Sequence, residues 1–485
     1  MLTKNIALQI DKLAFGSTFF NHEIHEKTLK YFFRVISCVS WFILKLINIK
    51  LLIFSISFTC FLCLSNCLSA ESKKISAYKI GDKREFWTWE LKVMPPEDVK
   101  MQATCRGIGE NVYVFVSDDV WKINIFQEDI EKIIDVFDHA TPETSIDKDK
   151  GIYDIVTETF GNPPDVDNDP RIYFLISQLG GYHGHNFDGF FRAIDETKGN
   201  HSNHIEILYL DCDNPSDDYY LAIIAHEFQH MIHWLYDHNE AGWIGESLSE
   251  AAMILCGYYT DKRHVARYLN NTNSPLISNR HMKSYGACLL WGTYVYERFG
   301  REFLKELVLE EANGIEGFQK AITNTNREDD FSDIFGDWLV TNYLNASLSV
   351  NKNYKYKSIT LPTSPTVKHF FSLPVYDSAN VYGYAANYLK FSIKRAKDKK
   401  LRITFKSDSN KDFLIKIIKI DNDDLSNSLI EDIKLNKPVE VFDVTGIGTN
   451  YREVVLAVSV MKITKEPVSY TFSASLIPSV ETELH

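Results

Sequence analysis

Residues 219–250, YYLAIIAHEFQHMIHWLYDHNEAGWIGESLSE, decide how the rest of the chain is read. Leu221, Ile223, Ile224, Phe228, Met231 and Ile232 recur at helical spacing around His226 and His230, so residues 219–236 are expected to form a buried helix. Two histidines four residues apart share one helix face and can meet a single ion. Zinc takes such donors at about 2.0–2.2 Å. Glu227 lies beside the first histidine, placed to take a proton from a metal-activated water without itself binding the ion. The polar run Asp237-His238-Asn239-Glu240-Ala241-Gly242 ends the helix, and residues 245–259 are expected to return as a second one. That second helix carries Glu246, sixteen residues after His230, as the expected third ligand. Glu250 follows one turn later, as an acceptor for a histidine N–H or an ion-pair partner. Small residues at 247, 249, 251 and 252 allow the two helices to pack closely.

The alternative with three histidines fails on sequence. HExxHxxGxxH requires a glycine bend, whereas position 233 is histidine and 236 is tyrosine. His233 is therefore read as lining the helix end. Peptide-bond hydrolysis also needs a donor for the developing oxyanion. Tyr285, opening a third helix beside Gly286 and Ala287, is the first choice, with His281 second and His183, His185 and His204 as further residues lining a cleft.

Outward from this stretch, Asn111–Ser117, Arg171–Gln178 and Ile205–Leu210 are rich in β-branched and aromatic residues and read as strands. Val120–Phe137 reads as a helix, and Gly180–Phe191 as a Gly-, His- and aromatic-rich loop at the cleft, where Tyr182, Phe187, Phe190 and Phe191 either line substrate or pack on the sheet. Helical patterns resume over 285–299, 303–309, 315–322 and 334–344. After Leu348 the period switches to short alternating strands at 388–393, 401–405, 413–420, 439–444, 454–458 and 469–476, with one more or a linker in 371–385. The expected fold class is α+β: a leader over 1–70, a lead-in segment over 71–104, a sheet-then-helices metallopeptidase domain over 105–348, and an all-β, sandwich-like domain over 349–485.

Three segments resemble a known family. HEFQHMIHW, WIGESLSEAA and YGACLLWGTYVYERFG, with the upstream FGNPPDVDND (160–169) and Glu206–Asp211, are similar to the secreted neutral metallopeptidases of the hyicolysin type, zinc peptidases that use glutamate as third ligand. The resemblance covers about residues 110–345. It implies a zincin-like domain with His226, His230 and Glu246 as zinc ligands and Glu227 as catalytic base. This chain departs from the family at Ser247, where glycine is usual, and at His233.

The remaining features set bounds. The 485-residue chain has a formal charge of −13. Without residues 1–70 the balance is 45 basic against 62 acidic side chains, a net −17. Such a surface disfavours nucleic acid as a partner and says little about substrate preference; protein or peptide substrates are what the zinc-peptidase reading expects. Phe32–Leu68 is strongly apolar, and Leu51–Leu64 followed by Leu68-Ser69-Ala70 fits an export signal cleaved near Ala70. Retention as a membrane anchor and lipidation of Cys67 are the competing readings. Cys105, Cys212, Cys256 and Cys288 show no CxxC pairing; one or two disulfides or buried thiols both fit. Asp165, Asp167 and Asp169 alternate through a turn in a pattern that suits calcium, although the EF-hand continuation is missing. The leading function is an exported zinc endopeptidase. The alternative is a surface-exposed, adhesin-like binding protein with a vestigial metal site, which would have no use for Glu227.

Overall fold

A computed structural model describes residues 77–479, apart from 183–184, 260–261, 279–283, 348–352, 394–395, 397, 409–411, 422 and 424–426. The leader and its expected signal, anchor or lipid site lie outside the described residues. So do His183 and His281. No described helix is long and apolar enough to cross a membrane.

The chain is mixed α+β. Its first sheet has six strands: β1 (Lys83–Glu90), β2 (Glu97–Ile108), β3 (Val112–Ser117), β4 (Ile172–Ser177), β5 (Gly189–Phe191) and β6 (Ile207–Asp211). They lie in the order β1-β2-β3-β4-β6-β5. The central strands β3, β4 and β6 run parallel, and the outer pairings are antiparallel. Every residue of VYVFVS and IYFLIS is buried, the continuous apolar run expected of parallel strands covered on both faces. One face packs against helices, and the other carries an aromatic cluster that includes Phe86, Tyr113, Phe115, Tyr173 and Tyr209.

Nine helices follow or interrupt the sheet among the described residues: α1 (Gln127–Asp138), α2 (Ile152–Phe160), α3 (Asp218–Tyr236), α4 (Gly242–Leu255), α5 (Lys262–Asn270), α6 (Tyr285–Phe299), α7 (Arg301–Leu309), α8 (Gly314–Asn324) and α9 (Phe331–Leu344). α1 begins later than Val120, where the apolar spacing suggested. Lys122 sits at φ 61°, and the amides of Ile123, Asn124 and Ile125 fold back on the Val120 carbonyl, so the first six residues form a turn. The Asp129 carboxylate accepts from the Phe126 amide at 2.9 Å, capping the true start. Gly180–Phe191 is also not all loop, because its last three residues form β5. Phe190 stacks on Tyr209 with centroids 4.5 Å apart and on Trp89 at 5.2 Å, which spends that ring on packing.

Beyond Val367 lie a five-stranded and a four-stranded sheet. The first orders Val367–Phe370, Asn387–Phe391, Tyr451–Val460, Phe413–Asp421 and Leu429–Ile433; the second orders Val375–Val381, Val468–Pro478, Lys399–Lys406 and Val439–Val444. A shared apolar cluster joins them, through Leu389, Ile415 and Leu456 from one and Leu401, Ile403 and Phe472 from the other. The opposite face of the five-stranded sheet joins the helical core, since Tyr388, Ile418, Val455 and Ala457 belong to the same cluster as Trp291 and Trp338. Asp337 on α9, only 1% exposed, holds this junction: it accepts from Arg298 of α6 at 2.9 Å and lies 3.6 Å from the Lys416 ammonium. Cys105, Cys212, Cys256 and Cys288 are buried thiols, not disulfides.

One buried acid gives a pH signature. Glu206, 1% exposed just before β6, accepts from the Val166 amide, but its second oxygen has no partner. Burial, with Asp165 and Asp167 nearby, pushes its carboxyl from 4.5 up to about 7. The folded state thus holds this proton more tightly than the unfolded chain does. The stability it contributes is complete below about pH 4.5 and is lost as pH rises through about 7. Glu206→Gln keeps the acceptor and removes the titration. The variant should therefore melt above the wild type at pH 8, by up to about 3 kcal/mol, with the gap closing toward pH 4.5. Parallel melting curves across that range would reject the assignment.

Candidate metal centre

The α3 helix starts where the Asp217 side chain accepts from the Tyr220 amide, and twelve of its nineteen residues are buried. That burial turns His226 and Glu227 inward, at 7% and 9% exposure, and leaves the His230 side chain 23% exposed. The chain leaves α3 at Asp237 and re-enters α4 at Gly242. Two contacts then gauge the return helix. Ser249 donates to Gln229 of α3 at 2.6 Å, both fully buried. On the other side α6 approaches so closely that a Cβ at Gly292 would stand 2.0 Å from the Ser247 carbonyl oxygen. Trp243 packs edge-on against Trp291 and seats the first turn of α4.

The result is a convergent donor set. His226 and His230 place their Nε2 atoms 3.2 Å apart. Glu246 Oε2 lies 3.5 Å from His226 Nε2, and Glu246 Oε1 lies 3.7 Å from His230 Nε2. Donors on a tetrahedral ion at about 2.1 Å stand about 3.4 Å from one another. The three separations bracket that value, so these residues fit a zinc-sized ion with N and O ligands. The electrostatics agree. Burial alone would depress the His226 imidazole, yet Glu246, Glu227 and Glu250 raise it to about 9. A buried pocket with this much negative charge draws a cation. Glu250 Oε1 lies 4.0 Å from His226 Nδ1, on the side away from Glu246 and beyond hydrogen-bond range.

Tyr285 is the first residue of α6, 40% exposed, with its ring stacked on His264 at 5.8 Å. Partial burial and the carboxylates of Glu246, Glu227 and Glu250 hold its phenol above the usual tyrosine range, so the hydroxyl stays a donor at neutral pH. His204 is exposed, with Nδ1 3.3 Å from the Ser202 hydroxyl, and takes no part in the donor set. His233 does not join the ligands either. Burial pushes it down to about 4, so its imidazole is neutral. Calcium finds no support at Asp165, Asp167 and Asp169: Asp169 accepts from Tyr113 and pairs with Arg171 at 3.0 Å, while Asp167 accepts from Tyr173 at 2.9 Å. Asp211, Cys212 and Asp213 also lie close together, but the Asp211 oxygens accept from the amides of Leu179 and Asp213.

Against known proteins, no family model matches the chain. Among curated proteins it is 26% identical over 285 residues to "Neutral metalloprotease ShpI" of Staphylococcus hyicus, covering 51% of this chain and 59% of that one. The chain thus spans about three fifths of that relative's length. Among solved structures, the pre-peptidase C-terminal domain of a collagenase from Bacillus anthracis matches at 10% identity over 23% of this chain and 95% of that one, with TM-score 0.17. The insecticidal delta-endotoxin Cry8Ea1 of Bacillus thuringiensis matches at 15% identity over 22% and 19%, with TM-score 0.14. Neither score reaches the level of a shared fold. Over about half its length, the chain is related to the neutral metalloproteases of the hyicolysin type.

Proposed function

We propose that this chain is an exported zinc endopeptidase that hydrolyses peptide bonds in proteins or peptides. The observation that carries the reading is the meeting of His226, His230 and Glu246 at 3.2–3.7 Å with Glu227 next in sequence to a ligand. The relationship to a neutral metalloprotease supports it, and the leader pattern supports export. In this reading the six-stranded sheet and helices α1–α9 form a zincin-like unit beginning at β1. The β strands beyond Val367 form an accessory sandwich-like domain.

Zinc, when bound, supplies Lewis acidity to the attacking water and to the scissile carbonyl. The remaining steps fall to the protein. Glu227 takes the water's proton and returns it to the leaving amide nitrogen. The Tyr285 hydroxyl donates to the developing oxyanion. The edge strand β5 runs beside Glu227: a Cβ at Gly189 would touch Glu227 Cγ at 3.5 Å and crowd Ile223 at 2.7 Å. An extended peptide paired to that edge would pass over the base.

The test is hydrolysis of an unstructured protein by the purified mature chain, with metal analysis. Activity should vanish with a chelator and return with zinc. Glu246→Gln should weaken zinc binding by more than the roughly 10–100-fold cost of losing an outer-shell partner. Retention of zinc at wild-type affinity in that variant would reject Glu246 as a ligand. Tyr285→Phe should keep its zinc and lose about 10²–10³ in kcat. A turnover near that of the wild type would remove the tyrosine from the mechanism.

A further inference from the structure

The turn that joins the two ligand-bearing helices holds a second group of donors. His233 in the last turn of α3, Asp237 at its C-cap and Glu240 before α4 each offer one ligand atom, all within 4.8 Å of one another. His233 and Asp237 are 4% and 8% exposed. His233 Nε2, Asp237 Oδ2 and Glu240 Oε2 are buried and have no hydrogen-bond partner. Leaving one such atom unmade costs about 1–3 kcal/mol, and more for a charged group; three in one turn call for a common partner.

The other oxygen of each carboxylate is already committed. Asp237 Oδ1 accepts from the Asn239 amide at 3.1 Å. Glu240 Oε1 accepts from the Gly314 amide at 2.7 Å and from the Ala241 amide. Those bonds fix the carboxylates and leave one oxygen of each for something else. The location also favours a cation. The helix C-terminus carries the negative end of the α3 dipole, and two carboxylates stand at it. No lysine or arginine pairs with either among the described residues.

We propose that His233, Asp237 and Glu240 bind a second divalent metal ion of the zinc class, separate from the ion at His226, His230 and Glu246. One imidazole nitrogen and two carboxylate oxygens suit a borderline transition ion. Calcium, which takes six to eight oxygens, suits them poorly. The ion has a structural task. It ties the end of the helix bearing His226 and His230 to the turn that delivers Glu246. Its anchorage continues into α8 through the Gly314 amide.

Zinc counting on the purified full chain tests this. The protein is stripped with a chelator, reloaded with zinc alone, freed of excess by gel filtration and analysed by atomic emission. The wild type should hold two zinc ions per chain, and His233→Ala and Glu240→Gln one each. His230→Ala should also hold one, by losing the other ion, so failure at either centre shows separately. Glu240 is half-buried at the rim of the group, and circular dichroism on Glu240→Gln keeps the test valid if His233→Ala does not fold. Zinc content in folded Glu240→Gln equal to that of the wild type overturns the proposal.

Discussion

Glu227→Gln should lower peptide turnover by about 10²–10⁴-fold while zinc content and melting temperature stay at wild-type values. The substitution preserves shape and hydrogen-bonding capacity in a side chain that is only 9% exposed. It removes one property, the ability to take and return a proton. Glu227 is not among the three residues whose donors converge, so the ion should remain. The contrast with Glu246→Gln is the informative part: one variant keeps metal and loses chemistry, the other loses metal. A Glu227→Gln protein that hydrolyses peptide at the wild-type rate would defeat the mechanism. Glu227→Gln without zinc would show instead that the residue holds the ion.

The second large effect is on stability. Asp337→Ala should cost about 3 kcal/mol in a denaturant melt, toward the lower end of what breaking a buried charge pair costs. The carboxylate faces Arg298 from α6 and Lys416 from the five-stranded sheet, and accepts from Tyr354 at 3.3 Å. Removing it strands two positive charges, although each keeps another partner: Arg298 has Asp329 at 2.8 Å, and Lys416 has Asp432 at 2.6 Å. Asp337→Asn should fall between the variant and the wild type. A loss below about 1 kcal/mol for Asp337→Ala, within the range of exposed ion pairs, would mean that solvent already screens this junction.

The motif helix was legible because two independent patterns coincide there. Apolar spacing marks a buried helix, and the spacing of His226, Glu227 and His230 marks a candidate metal site on it. Glu246 followed because the polar turn sets a return path of bounded length. Other parts were hidden for physical reasons. β1 and β2 leave little trace in the sequence because Lys83–Glu90 and Glu97–Ile108 are largely polar, with few core residues such as Phe86, Ala103 and Cys105. α5, KRHVARYLN, buries only Val265, Tyr268 and Leu269, too few for a clear stripe. Hydrophobic spacing sets the start of α1 too early, since it cannot reveal a left-handed residue at Lys122. His233 looked idle in sequence, because its neighbours Asp237 and Glu240 meet it only through the conformation of the turn.

The contact between Gly292 and the Ser247 carbonyl bears on how faithfully the site is reproduced from one molecule to the next. Ser247 is the neighbour of Glu246, so main chain resting on main chain sets where that carboxylate begins. Main-chain contacts have no rotamers to explore. Thermal hopping of the surrounding core therefore blurs the donor triangle little, and the side chains lining the pocket can change while the placement of the three donors stays put.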